Sequence, residues 1–181
     1  MIDFDLAAFQ QQISSQNAAL PPVDKWNPDF CGDIDIQIKH DGTWFYMGTP
    51  IGRKALVKLF ASVLKREDDD YFLVTPAEKV GIQVEDSPFI ITQWQKESGK
   101  LALTTNTGFD LVVSSENPIH IFIDKKTGAY LPYALVRKNL WGRLHQNVFY
   151  QLAELGEEQE IDGKCHLMLN SGDYRFTLGE L

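Results

Sequence analysis

Hydrophobic and polar residues alternate strictly over Ile34-Asp35-Ile36-Gln37-Ile38-Lys39, and a period of two predicts a strand with one buried face. Asp41-Gly42 and then Thr43-Trp44-Phe45-Tyr46 follow, which predicts a hairpin. Helical spacing is read at three places. Phe4, Leu6, Ala7, Phe9 and Ile13 share one side of a helix from Asp3 to Ile13, with Asp3 as its cap. Thr49-Pro50 offers a cap and a first-turn proline to a second helix with Leu56, Leu59, Phe60, Val63 and Leu64 at i, i+3, i+4 spacing. Val136, Leu140, Leu144, Val148, Leu152 and Leu155 form the stripe of a third, long helix over about Ala134 to Leu155. Gly142 would then sit inside that helix at a cost of about 1 kcal/mol relative to Ala, which a close backbone contact would explain.

The charged stretch Arg66-Glu67-Asp68-Asp69-Asp70 ends the second helix, and strands follow at Tyr71 to Thr75 and Val80 to Val84 around Pro76. Further strands are read at Phe89 to Gln95, Leu101 to Thr105, Leu111 to Val113, Ile119 to Ile123 and Ala129 to Leu131. Cys165 to Leu169 and Tyr174 to Leu178 close the series, with glycine turns between. Between the first helix and the first strand, Leu20 to Phe30 is punctuated by prolines and holds Trp26, which predicts an ordered strap packed on the core.

The class is therefore α+β, in two units of similar ββαββ plan. Ile34, Gly42, Trp44, Arg53 and Leu56 correspond in order to Ile119, Gly128, Tyr130, Arg137 and Leu140, a pattern of duplication. The division expected is an N-terminal docking helix over 1–20, an N-terminal α+β domain over 21–86 and a C-terminal, strand-rich domain over 87–181 capped by the long helix. Two such units leave a cleft between them, a favoured place for a ligand.

Charge and composition narrow the partners. A formal net charge of −8 repels polyanions, and no basic run with interleaved aromatics offsets it, so nucleic acid is not an expected partner. No apolar run approaches the ~20 residues of a membrane-spanning helix, and the acidic start is unlike a secretory leader; a cytoplasmic location is expected. Cys31 and Cys165 stand far apart without CxxC spacing, and are read as two small buried thiols.

Candidate chemistry is sparse. His40, His120, His145 and His166 have no ligand-spaced partners, so neither a metal nor a cofactor is indicated. Ser171-Gly172 is not part of GxSxG, and no other catalytic signature is present. Gly48-Thr49-Pro50-Ile51-Gly52-Arg53-Lys54 joins a strand to a helix but lacks the spacing of a Walker A loop. What does stand out is that both long helices read as opening on cations, Arg53-Lys54 and Arg137-Lys138, where the helix dipole disfavours positive charge by about 0.3–1 kcal/mol. A bound small anion would offset this; so would an internal salt bridge or solvation. Arg53 and Arg137 are thus candidate anion contacts, with Trp44 for stacking, Asn106 for hydrogen bonding and Asp41 as a lesser candidate that also shapes the hairpin.

Lys25-Trp26-Asn27-Pro28, Cys31-Gly32-Asp33-Ile34, Asp41-Gly42-Thr43-Trp44, Gly48 to Arg53, Leu73-Val74-Thr75-Pro76, Asp86-Ser87-Pro88-Phe89, Thr105-Asn106, Val136-Arg137 and Leu178-Gly179 resemble the bacterial family known as domain of unknown function 1285. The likeness runs from about Pro21 to Gly179. It implies a two-domain core with a duplicated motif, a C-terminal part similar to pleckstrin-homology folds, and a nucleotide-like ligand at the domain interface. No activity comes with it. The Ser171 to Gly179 segment departs from the glycine- and proline-rich form of relatives, so no ligand role passes to that loop. The leading expectation is a non-catalytic ligand-binding or signalling protein for a small anionic, nucleotide-like molecule. A hydrolase of a phosphorylated small molecule and a scaffold for a protein partner are the alternatives.

Overall fold

The computed structural model describes residues 4–14 and 20–181. They form three helices, α1 (Leu6–Ser14), α2 (Lys54–Ser62) and α3 (Gln146–Ala153), and fifteen strands. The strands are β1 (Phe30–Ile38), β2 (Trp44–Tyr46), β3 (Thr49–Pro50), β4 (Leu64–Glu67), β5 (Asp70–Val74), β6 (Lys79–Val84), β7 (Phe89–Glu97), β8 (Lys100–Thr105), β9 (Asp110–Val112), β10 (Ile119–Ile123), β11 (Tyr130–Arg137), β12 (Leu140–Leu144), β13 (Glu157–Ile161), β14 (Lys164–Ser171) and β15 (Tyr174–Glu180). The class is α+β, and the chain divides into two compact units, Met1–Glu85 and Asp86–Leu181. Among the described residues no helix is long and apolar enough to cross a membrane.

The two units share a plan built from three-stranded antiparallel meanders. Each consecutive triplet of strands, β1-β2-β3, β4-β5-β6, β7-β8-β9, β10-β11-β12 and β13-β14-β15, pairs with its own chain neighbours. In the N-terminal unit two meanders join by a parallel seam, β1 beside β6, giving the order β3-β2-β1-β6-β5-β4. The C-terminal unit repeats this with β7 beside β12, order β9-β8-β7-β12-β11-β10. The fifth meander forms a separate sheet, with β15 lying against β10 and β11 without a ladder to either. Reversal at the short turns falls to residues that tolerate positive φ, such as Ser98-Gly99 and Asp162-Gly163.

This duplication is not the ββαββ correspondence expected. In the six-stranded sheets β1 matches β7, β5 matches β11, and α2 stands where the second sheet has a short connection between β9 and β10. Arg53 and Arg137 are therefore not equivalent positions.

The long helix expected over about Ala134 to Leu155 is instead β11, β12 and the eight-residue α3. Most of its stripe is nonetheless core: Val136, Leu140, Leu144, Val148 and Leu152 are each at most 4% exposed, whereas Leu155 is 49% exposed. Spacing by four suits a helix face, and it suits a strand face equally because four is even. Gly142 does mark a close approach, since a Cβ there would stand 3.1–3.2 Å from Ile91, Phe89 and Val136. The neighbour it makes room for is the parallel partner β7 rather than another helix.

α2 begins at Lys54 instead of Thr49, because Thr49–Pro50 pairs with Phe45–Tyr46 as β3. Its apolar side buries Leu56 and Phe60, while Val63 and Leu64 already belong to its C-cap and to β4. The charged run ending the expected helix is the β4–β5 hairpin. α1 is capped by Asp5, whose Oδ1 accepts from the Ala8 N–H at 3.0 Å; the expected Asp3 cap lies outside the described residues. Phe9 and Ile13 bury against the N-terminal core, where Phe9 meets Phe60 at 6.1 Å. Gln12 fastens the helix by donating to Glu78 at 2.9 Å and accepting from Thr75 at 2.7 Å. In the strap, Pro21 and Val23 are buried and Trp26 is half-buried, with a single 3-10 turn over Val23–Lys25. Phe30, at its end, is 55% exposed.

Candidate functional site

In the N-terminal unit Arg53 is the N-cap residue of α2 and lies exposed, with no side-chain cap hydrogen bond. Trp44 is 1% exposed and sits opposite Ile38 in the β1–β2 ladder, so its ring faces belong to the core and are closed to a stacking ligand. Its indole Nε1 is buried without a hydrogen-bond partner among the described residues. Asp41 shapes the hairpin: its Oδ1 accepts from the Thr43 N–H at 2.9 Å.

In the C-terminal unit Arg137 ends β11, and the chain then reverses through Lys138 at φ 53°. Its guanidinium lies over Phe89 at 5.2 Å and over Phe109 at 5.5 Å. Both walls are held in place. Phe89 opens β7 and is wholly buried. Phe109 is positioned by the β8–β9 turn, where the Thr105 N–H donates to Phe109 O at 2.9 Å and the Phe109 N–H donates to Thr105 Oγ1 at 3.0 Å. Asn106 in the same turn clasps β7: its N–H donates to Ile90 O at 2.8 Å, and its Oδ1 accepts from the Ile90 N–H at 3.0 Å. The structure thus places Arg137 against Phe89 and Asn106 against the next residue of β7, Ile90. Desolvation by the surrounding apolar groups pulls the Arg137 pKa down to about 10, a value at which it still carries its charge at neutral pH.

Sequence reasoning missed a buried ion pair of this unit. Asp86 has a side chain 2% exposed, and its Oδ2 accepts from Arg143 Nη1 at 2.7 Å and from the Tyr133 hydroxyl at 2.8 Å. Its Oδ1 accepts from the Lys125 N–H at 3.0 Å. Tyr133 and Arg143 face each other across the β11–β12 ladder, which aims both at one carboxylate. Burial first, then the hydrogen bond and charge of Asp86, push the Tyr133 hydroxyl above the usual phenol range, so it remains a donor. Asp124, 1% exposed, ties the β10–β11 turn by accepting from the Lys126 N–H at 3.0 Å and the Thr127 hydroxyl at 2.9 Å. The available signal for this network was Asp86-Ser87-Pro88, a carboxylate directly before a seam strand. Its partners lie some 40 to 60 residues away, beyond any local pattern.

Each unit carries a cleft. A cleft of about 400 Å³ is lined by Gln37, Asp69, Asp70, Tyr71, Gln83 and Glu85 among others, whose carboxylates disfavour an anion. A smaller one of about 160 Å³ has Leu101, Leu155 and Met168 with Lys96 and Arg175 at its edge. Neither includes Arg53 or Arg137. Cys31 and Cys165 are free and half-buried, not buried as expected.

Comparison with known proteins fits this geometry into a family. Residues 21–87 match the N-terminal domain, and residues 88–178 the C-terminal domain, of the family described as a domain or protein of unknown function, DUF1285. A DUF1285 family protein from Silicibacter pomeroyi DSS-3, solved at 2.50 Å, is 40% identical and superposes with a TM-score of 0.86 over 99% of this chain and 97% of that one. Another from Shewanella baltica OS155, solved at 1.40 Å, is 30% identical with a TM-score of 0.53 over 66% of this chain and 90% of that one. No curated protein matches. With both domain descriptions covering most of its length and a 40% identical relative aligned from end to end, the chain belongs to the DUF1285 family.

Proposed function

We propose that this is a cytoplasmic, non-catalytic protein that binds a small anion bearing phosphate or carboxylate, and that Arg137 is its principal contact. A single observation carries the reading: a charged guanidinium stripped of much of its water and held between two phenylalanine rings. A desolvated, oriented guanidinium gains more from a planar oxyanion than a solvated one does, because the attraction acts at lower dielectric and little side-chain freedom remains to be lost. Nucleotide-like ligands are the finer form of the reading, with Arg53 and Asn106 as lesser contacts, and a signalling role would follow if occupancy is read by a partner. The pleckstrin-homology likeness implied for residues 87–181 belongs to the same proposal, as a strand-rich unit that offers a cation to a phosphate.

Isothermal titration of the full chain against nucleotides, sugar phosphates and inorganic phosphate tests this. Binding is expected for at least one, weakened more than about tenfold by Arg137→Met, a loss of ~1.4 kcal/mol or more. That variant should stay folded, since an apolar chain of similar length fills the space over Phe89 and Phe109. No binding across the panel, or binding untouched by Arg137→Met, would overturn the proposal.

A further inference from the structure

The smaller cleft of the C-terminal unit has an apolar floor and a cationic rim. The floor is Leu101, Met168 and Leu169, all buried, and one wall is Leu155, which is 49% exposed. An aliphatic side chain left half in water beside a packed floor is surface that a ligand can still bury. Leu155 is fixed by the last turn of α3: its N–H donates to Leu152 O at 3.0 Å, and the Gly156 N–H donates to Ala153 O at 3.1 Å. Gly156 then packs so closely that a Cβ there would stand 2.6 Å from the Leu167 side chain, which sets the root of β13 beside the cleft.

The rim is charged and oriented. Arg175 stands opposite Asn170 in the β14–β15 ladder. Its Nη1 donates to Asn170 Oδ1 at 3.2 Å and its Nη2 to Gln159 Oε1 at 2.7 Å. Both acceptors are neutral amides, so they aim the guanidinium without offsetting its charge. Lys96 of β7 is a second cation at the same mouth, and neither it nor Arg175 takes part in an ion pair among the described residues. The sequence holds 25 acidic residues against 17 lysines and arginines, so two cations side by side without a carboxylate partner run against the character of the chain. Glu157 also lines the cleft and leaves its mouth one positive charge in excess.

We propose that this cleft binds a small monocarboxylate with an apolar tail, the tail lying on Leu101, Met168 and Leu169 beside Leu155 and the carboxylate meeting Arg175 and Lys96. The size follows from the volume: about 160 Å³ holds about five groups the size of a water molecule, too few for a nucleotide. The head follows from the charge. A monoanion balances the single excess cation, whereas a phosphate dianion is repelled by Glu157 as well. Place and ligand are both distinct from those proposed for Arg137, which does not line this cleft.

Titration of the isotope-labelled full chain with acetate, butyrate, hexanoate and octanoate, followed by NMR, tests the assignment, with hexanol and a short peptide ending in a free leucine alongside. Affinity should rise about two- to fourfold per added methylene as far as hexanoate and level off at octanoate. The shifts should fall on Leu101, Leu155, Met168 and Leu169. Arg175→Gln should weaken hexanoate about tenfold and leave hexanol unchanged, and Leu155→Ser should weaken both. Arg175 and Leu155 are exposed, so neither substitution disturbs the core. Arg137→Met should leave hexanoate binding intact, which keeps this test separate from that of the phosphate reading. No shifts at these residues with millimolar hexanoate, binding indifferent to Arg175→Gln, or binding of the leucine peptide alone would overturn the inference.

Discussion

Tyr133 shows how much one hydroxyl can carry. It donates to a carboxylate that is almost wholly buried, so Tyr133→Phe removes one of three donors to a charge that water cannot reach. The expected cost is about 1–2 kcal/mol at neutral pH, measured by urea unfolding. Its pH signature has a definite sign. Folding raises the pKa of the hydroxyl, so the unfolded chain loses this proton first, at about pH 10, while the folded protein keeps it. The share of stability owed to Tyr133 is full below about pH 10 and declines above it, and Tyr133→Phe should show a shallower alkaline decline than the parent. An equal slope in both proteins would contradict the network. Of the residues legible as candidates from sequence, Arg137 lies over Phe89, Asn106 holds the backbone of Ile90 and Asp41 shapes its hairpin. Trp44 is core instead, because a strand opposite Ile38 turns it inward, and no local pattern separates an inward from an outward aromatic in a three-residue strand.

At the level of elements, the first half of the chain was more legible than the second. Alternating isoleucines place β1 and β10 correctly, since strict period two has no helical counterpart. Between Ala134 and Leu155 the apolar spacing is four, which leaves period undecided, and the deciding signals were weak ones. Tyr130 to Val136 is rich in apolar residues on both sides, and Lys138-Asn139 supplies a two-residue reversal. Gly142 was read as a close contact and is one, but in a strand. Gly142→Ala should cost about 1–3 kcal/mol by overpacking against Ile91, Phe89 and Val136. Thermal or urea unfolding would measure it, and a neutral result would mean that β7 and β12 can part more easily than their packing suggests.

For the whole molecule, the place where the chain is divided has consequences. The family's C-terminal domain match begins at residue 88, two residues beyond Asp86. A C-terminal fragment spanning 84–181 keeps the carboxylate for Tyr133 and Arg143, whereas one spanning 88–181 strips that carboxylate from a buried guanidinium and a buried phenol. The longer fragment should be more stable by about 3–5 kcal/mol, read as its melting temperature and urea midpoint. Equal stability would show that Asp86 serves no purpose in that unit. Duplication was legible from sequence as two passes of similar elements, but its true unit, the meander, was not. Two-residue turns look alike wherever they fall, and only long-range pairing shows which triplets belong together.

Those pairings also set a timetable. A meander assembles from neighbours and can form as soon as it leaves the ribosome, but each six-stranded sheet waits on its seam: Phe30 meets Lys79, and Phe89 meets Gly142. Until the later strand is synthesised, the earlier one holds its half-open sheet exposed in the cell. Nascent chains of this protein should therefore draw chaperones twice, once for each seam.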